Sequence, residues 1–306
     1  ESYQVTPIQT NATLRRDEWK HLDEAIIPVA RERLVGIQDL IDRGLTYSLG
    51  NAMANTVLEY HDVSDSMEAD MTMDAVTRSP GDRPDFSTNY IPLPIIHVDY
   101  EINMRLLENS RNLGNPVDTT SAEHATRRVA EKLEGLLFKD QTYQYGTGTI
   151  YSYLNFPDRN TVSFESSKKW DDSSKTSAGI IKDVRNLKQA SIDVQHYGPW
   201  LLYVPTSYET ILDEDYDTTT PGTTIRERIM KIRGIEDVKV IDTLPADNVV
   251  MVEMNTSTVR LIRGMGINNV EWSTEGGFVT KYKVLTIQVP QISSDQEGKN
   301  GIVHLA

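Results

Sequence analysis

From Pro116 to Asp140 the sequence reads as one long amphipathic helix, and a rod of that length restricts what can be built around it. Thr120 and Glu123 stand at capping-box spacing, where side chains satisfy the first free N–H groups of a helix. Ala122, Ala125, Val129, Leu133, Leu136 and Leu137 recur at steps of three and four, which makes one apolar stripe. At ~1.5 Å per residue, about twenty residues span roughly 30 Å. Glu123, Arg127, Arg128, Glu131 and Lys132 occupy the opposite face, suited to solvent or to a neighbouring subunit. Gly135 costs about 1 kcal/mol relative to alanine, which predicts a close neighbour there. Taken alone the stretch is an ordinary amphipathic helix, and its place in the chain is what makes it informative.

A chain of 306 residues is long enough to bury a large core in one or two domains. No apolar run approaches the ~18 residues of a membrane span, and no signal peptide is visible. The sequence begins at Glu1 without Met, which predicts a processed or trimmed chain. It has no cysteine, so disulfides, thiol catalysis and cysteine metal sites are excluded, as suits a reducing cytoplasm. Acidic residues outnumber basic ones 45 to 31, giving a net charge of −14. Basic stretches such as Arg127–Arg128 and Arg226 to Arg233 are interleaved with acids, which disfavours nucleic-acid recognition. An acidic wall that repels an enclosed polyanion stays compatible with this charge.

In chain order, residues 1–13 read as an extended arm and Leu14 to Leu34 as a helix interrupted by Pro28. Leu34 to Leu49 reads as a short apolar strand or turn punctuated by Gly36, Gly44 and Gly50. Val57 to Val63 alternates as an exposed strand, Pro80-Gly81-Asp82 marks a turn, and Phe86 to Val98 is extended again. A hairpin this long cannot bury both faces on its own domain, so another chain must cover it or it must flap. Asp99 to Ser110 reads as a short helix with Ile102, Leu106 and Leu107 inward. Beyond the long helix come a Gly/Tyr-rich connection (143–156), a hydrophilic loop (166–176), an amphipathic helix (178–194), a buried strand Trp200 to Val204, and a short helix (207–212). An acidic loop from Asp213 to Gly222 and a helix Thr224 to Ile232 follow. Strands are expected at Val238–Ile241, Val249–Met254, Thr258–Ile262, around Val270 and Trp272, and at Val279–Val289.

This order, together with several local runs, resembles the encapsulin branch of the Hong Kong 97-type major capsid fold. Trp19-Lys-His-Leu-Asp-Glu-Ala25 and Ala30-Arg-Glu-Arg-Leu-Val-Gly36 are similar to its N-terminal helix. Leu93-Pro-Ile-Ile-His-Val98 resembles the return strand of its extended loop, and Val117 to Phe138 its spine helix. Tyr197-Gly-Pro-Trp-Leu-Leu-Tyr-Val-Pro205 resembles its axial-domain strand, and Leu261-Ile-Arg-Gly-Met-Gly-Ile267 its closing sheet. The resemblance implies an α+β chain divided into an N-arm (1–13), an N-terminal helix and start of the peripheral domain (14–50), an extended loop (51–92), a peripheral domain with spine helix (93–142), an axial domain (143–255) and closing peripheral strands (256–306). It implies no catalysis and no cofactor. Leu58, Tyr60, Tyr90 and Ile91 would contact a neighbouring subunit. Val129, Leu133, Leu136 and Leu137 would form the spine-helix core. Asp213, Glu214, Asp215 and Asp217 would ring an axial pore.

The implied function is the major capsid protein of a tailed bacteriophage, forming pentamers and hexamers around double-stranded DNA, in a virion assembled in the host cytoplasm. Portal, scaffold, maturation protease and decoration proteins are the implied partners, with DNA enclosed but not recognised by sequence and no membrane involved. Two departures from the family bear on this. Residues 43–104 contain no lysine, so the lysine-to-asparagine cross-link of the archetypal shell has no nucleophile on this loop. A dozen residues precede the first helix, more than encapsulins usually carry, and with the absent Met this favours a proteolytically matured capsid protein.

Other chemistry finds little support. The six histidines, at 21, 61, 97, 124, 196 and 304, make no His-x-x-x-His or His-Glu-x-x-His pair, so no metal site is expected. Gly146-Thr-Gly148 and Gly264-Met-Gly266 lack the lysine and length of a phosphate loop. The Asp213–Asp217 cluster is either a solvated loop or a weak cation ring, and it lacks the calcium-loop register. An encapsulin shell enclosing enzymes is the first alternative function. A soluble hydrolase using paired carboxylates is the alternative from another class, with no converging constellation to carry it.

Overall fold

A computed structural model describes residues 34–50, 52–63, 86–103, 119–216, 222–274, 278–295 and 297–306, with Pro28, Met71, Met73, Arg105 and Asn109. The expected arm, most of the first helix, the Pro80–Asp82 turn and Asp217 lie outside the described residues.

The centre of the molecule is a five-stranded sheet buried on both faces. Its order is β7 (Asn160–Val162), β13 (Ile302–Leu305), β10 (Val249–Glu253), β8 (Trp200–Pro205), β9 (Ile235–Ile241). Every residue of β8 and β10 is buried, as continuous apolar runs predict for a sheet covered twice. Alternation along each strand sends side chains to two cores. Leu201, Tyr203, Val250, Val252 and Ile302 join a core with α1 (Val35–Asp42) and the long helix α2 (Thr120–Phe138). Trp200, Leu202, Val204, Met251 and Val303 join another with α3 (Ser177–Asp193) and α5 (Ile225–Met230), near the single turn α4 (Glu209–Leu212). Residues 256–306, expected as closing strands of the peripheral domain, also supply a strand to this sheet. β13 inserts between β10 and β7 and completes the central sheet.

A second sheet has the order β1 (Thr46–Ser48), β11 (Val259–Thr274), β12 (Val279–Ile292), β4 (Ile96–Asn103). Its inner face packs Val98, Tyr100 and Val284 against Ala125 and Val129 of α2. Two expectations change here. Residues 99–103 continue β4 instead of starting a helix, because Ile96, Val98, Tyr100 and Ile102 alternate at period two and β12 offers a paired edge. Tyr100 stacks on Tyr282 with centroids 5.0 Å apart. The two expected strands at 258–262 and 270–272 are one strand, β11, which absorbs register shifts between Arg263 and Asn268, around Gly264 and Gly266.

Residues 35–42 form the helix α1 where a strand or turn was expected. No side chain of the helix's own N-cap, Leu34, serves its first N–H groups. Glu134 of α2 does so from 98 residues away, accepting from Gly36 N at 2.6 Å and from Ile37 N at 3.3 Å. Gly36 is required at this crossing, since a Cβ there would lie 2.5 Å from the Phe138 ring. On α2 itself the cap falls one residue before the expected Thr120. Thr119 is the N-cap, and its hydroxyl donates to Glu123 Oε1 at 2.6 Å without taking a backbone N–H. The close neighbours of Gly135 are the chain's own Lys139 and Gln141.

Candidate functional site

The β2 (Val57–Val63) and β3 (Phe86–Pro92) hairpin is a sheet of two strands, in register from Val57↔Pro92 to Val63↔Phe86. No other strand among the described residues pairs with it. Such a ribbon is marginal by itself, and its base is anchored to the rest of the chain. Leu93 N donates to Thr56 O at 2.8 Å. The short hairpin β5 (Tyr143–Tyr145) and β6 (Gly148–Ile150) lies against it, so close that a Cβ on Gly148 would be 2.8 Å from Tyr90 O.

The four expected contact residues divide at this base. Ile91 is 4 % exposed in the chain's own core with Leu93, Ile150, Ile262, Ile287 and Val289, so it is not open to a neighbour. Leu58 and Tyr60 are half-buried against that core. Tyr90 is 41 % exposed. The reason is the strand period. Ile91 and Tyr90 are adjacent, so their side chains point to opposite faces.

On α2, Val129, Leu133 and Leu137 are fully buried and Leu136 nearly so. Arg127 and Arg128 on the outer face both pair with Glu131. The acidic loop is partly neutralised within the chain. Asp213 Oδ1 accepts from Arg226 Nε at 3.1 Å, while the backbone of Asp215 pairs with that of Thr224 across the loop. Glu214 is exposed, and Asp217 lies outside the described residues. Among the described residues no group of three or more His, Cys, Asp or Glu could hold a metal, and no helix is long and apolar enough to cross a membrane.

Buried polar groups missed by the sequence reading hold these surfaces in place. Asp183 is fully buried and accepts from Glu165 N at 2.8 Å, Trp170 Nε1 at 2.9 Å and Lys175 Nζ at 2.7 Å. Glu253 accepts from Gly198 N at 2.9 Å and Thr258 Oγ1 at 3.1 Å and pairs with His196. Burial raises the Glu253 carboxyl, but His196 and the two donors outweigh it and hold it below its usual range. Asp39 receives Tyr203 OH at 3.0 Å and the Lys239 ammonium. Glu134 carried a sequence signal that went unused, since it is a charged residue beside Leu133 within the apolar stripe.

Burial pushes the Glu134 carboxyl up to about 7, against the opposing pull of the Gly36 and Ile37 N–H groups, and Asp39 adds to the push. Between the ordinary value of 4.5 and about 7, the folded chain keeps a proton that the unfolded chain has released. Stability from this group therefore falls as pH rises through that window and levels off above it. The span corresponds to about 3 kcal/mol. Glu134→Gln is expected to flatten this part of the Tm–pH profile, and parallel profiles for the two proteins would refute the assignment.

Residues 9–305 match the family described as a family of unknown function, DUF6260. The chain belongs to the DUF6260 family. No curated protein matches its sequence. Among solved structures, this DUF6260 chain is similar to the virus-like particle from Pyrococcus furiosus, with a TM-score of 0.68 at 15 % identity, covering 94 % of this chain and 99 % of that one. The capsid of Myoviridae phage XM1 gives 0.62 at 10 % identity over 86 % and 90 % of the two chains. The capsid of a native GTA particle gives 0.58 at 11 % identity over 99 % and 95 %. The DUF6260 chain has the Hong Kong 97-type capsid fold, with its α+β architecture, long helix and two-stranded hairpin.

Proposed function

We propose that this DUF6260 protein is a shell-forming structural protein, the major capsid protein of a tailed bacteriophage, which assembles into an icosahedral shell around double-stranded DNA. The observation that carries the reading is end-to-end similarity to capsid chains, extending over 99 % of this chain in the native GTA particle. Assembly also gives a neighbour to the two-stranded hairpin, with which no other strand among the described residues pairs. Many modest contacts per subunit add up to a closed particle. The net charge of −14 lets enclosed DNA slide along the wall. In this reading the exposed side of the hairpin around Tyr90 contacts a neighbouring subunit, and the Asp213–Asp217 loop surrounds the symmetry axis. Portal, scaffold, protease and decoration proteins complete the set of partners.

A second reading is an encapsulin shell loaded with enzyme. It is favoured by the near-complete coverage, 94 % and 99 %, shared with the Pyrococcus furiosus particle. Cryo-electron microscopy of purified particles, with the absorbance ratio of their contents, separates the two. Closed shells with nucleic acid or one portal vertex support the phage reading, and closed shells with a protein cargo support the compartment. A compact monomer whose hairpin resists protease would contradict both. Because residues 43–104 hold no lysine, assembled shells are expected to dissolve to single chains on boiling in SDS. A ladder of covalent oligomers would refute that expectation.

A further inference from the structure

A polar cavity of about 420 Å³ lies between β2 of the hairpin and the end of the β11–β12 pair. Arg260 and Gln291 line it as direct cross-strand partners. Arg260 Nε donates to Gln291 Oε1 at 2.6 Å, and the guanidinium carbon stands 5.2 Å from the Tyr47 ring centroid. Arginine can only donate, so the Gln291 amide must present its oxygen to it, and this sets which way the amide faces. Gln291 is 1 % exposed, and its Nε2 is left buried with no acceptor among the described residues. A buried amide donor without an acceptor is costly, and an oxygen placed in the cavity would relieve it.

The walls add further polar groups. His61 comes from β2 and His196 from the α3–β8 connection, with hydroxyls at Thr256, Ser257 and Ser293. Glu253 accepts from His196 Nδ1–H, so Nε2 of the neutral ring is an acceptor on this wall, suited to the O–H of a hydrogen phosphate. The acid on the wall, Asp295, is turned to the chain itself, accepting from Lys299 N at 2.7 Å, and Lys299 Nζ pairs with Glu297. In a chain of net charge −14, a recess this rich in donors is a local exception.

We infer that this cavity binds an oxyanion of the phosphate class, as the free ion or as the phosphoryl group of a small molecule, anchored by Arg260 and Gln291. The Arg260 guanidinium, held in place by the Gln291 amide oxygen, supplies the planar set of N–H donors that a phosphoryl or carboxyl edge requires. The ring nitrogens and hydroxyls enclose the remaining oxygens. Binding needs no second subunit, so the inference stands apart from the assembly reading.

Isothermal titration calorimetry of the full chain in chloride buffer tests it, with inorganic phosphate in one arm and AMP in the other. One saturable site per chain is expected. Tighter binding of AMP identifies a phosphomonoester as the ligand class, and tighter binding of phosphate identifies the free ion. Arg260→Gln is expected to weaken binding by about tenfold or more. His61→Gln, on the exposed hairpin strand, is expected to weaken it by about threefold. No saturable heat from either ligand overturns the inference, as do variants that bind like the wild type. Should Arg260→Gln fail to fold, His61→Gln decides alone.

Discussion

Tyr90→Glu is expected to leave the subunit folded and to abolish closed particles. Tyr90 is 41 % exposed on β3, on the opposite face from Ile91, and stands opposite Glu59 in the hairpin register. The new carboxylate therefore removes little from the subunit's own core. In a shell the same position recurs in every subunit. An aromatic anchor at an interface contributes about 2 kcal/mol or more, which is roughly thirtyfold in affinity at each contact. The substitution also sets a carboxylate across from Glu59, where cross-strand like charges repel. Sedimentation velocity and negative-stain microscopy read the particles, and circular dichroism melting reads the fold. Normal particles would remove Tyr90 from the interface. A Tm lowered by more than a few degrees would make it a folding residue instead.

Asp183→Ala is expected to destabilise the subunit by about 3–5 kcal/mol, the usual consequence of stranding a buried charge. The Lys175 side chain is 3 % exposed and has this carboxylate as its ion-pair partner. The same carboxylate also receives the Trp170 indole and the backbone of Glu165. One side chain on α3 thus ties down the loop that carries Trp170 over the outer core of the central sheet. Asp183→Asn keeps the volume but turns an amide N–H toward a donor, so an intermediate loss is expected. Urea unfolding of the three proteins measures the order. A loss below about 1 kcal/mol for alanine would mean that water reaches Lys175 and replaces the carboxylate.

The two long amphipathic helices and the apolar strands could be read directly from the sequence. Val129, Leu133 and Leu137 repeat every three or four residues, and Trp200 to Val204 is unbroken apolar sequence. The hairpin was also legible, because alternation and flanking prolines are local. Of the contact residues assigned to it, the sequence could not separate Ile91, which the chain keeps for its own core, from the exposed Tyr90. The acidic loop was visible as composition, but its internal pairing with Arg226 was not.

What the sequence determined alone is the set of elements whose signal lies inside the element: periodicity, caps a few residues apart, and net charge. The order of those elements and the runs quoted from them were enough to point to the capsid fold. Only the tertiary structure decided which ends and edges find partners. Helix α1 depends on a carboxylate from α2 for its first N–H groups, so no residue near Leu34 announces it. β4 is a strand because β12 pairs with it along its whole length, and β13 enters the central sheet beside strands distant in sequence. The Arg260–Gln291 pair and its orphaned amide likewise exist only once β11 and β12 are in register. A hydrogen-bonding group is satisfied by whatever lies within about 3 Å in space, and sequence spacing carries that information only for neighbours along the chain.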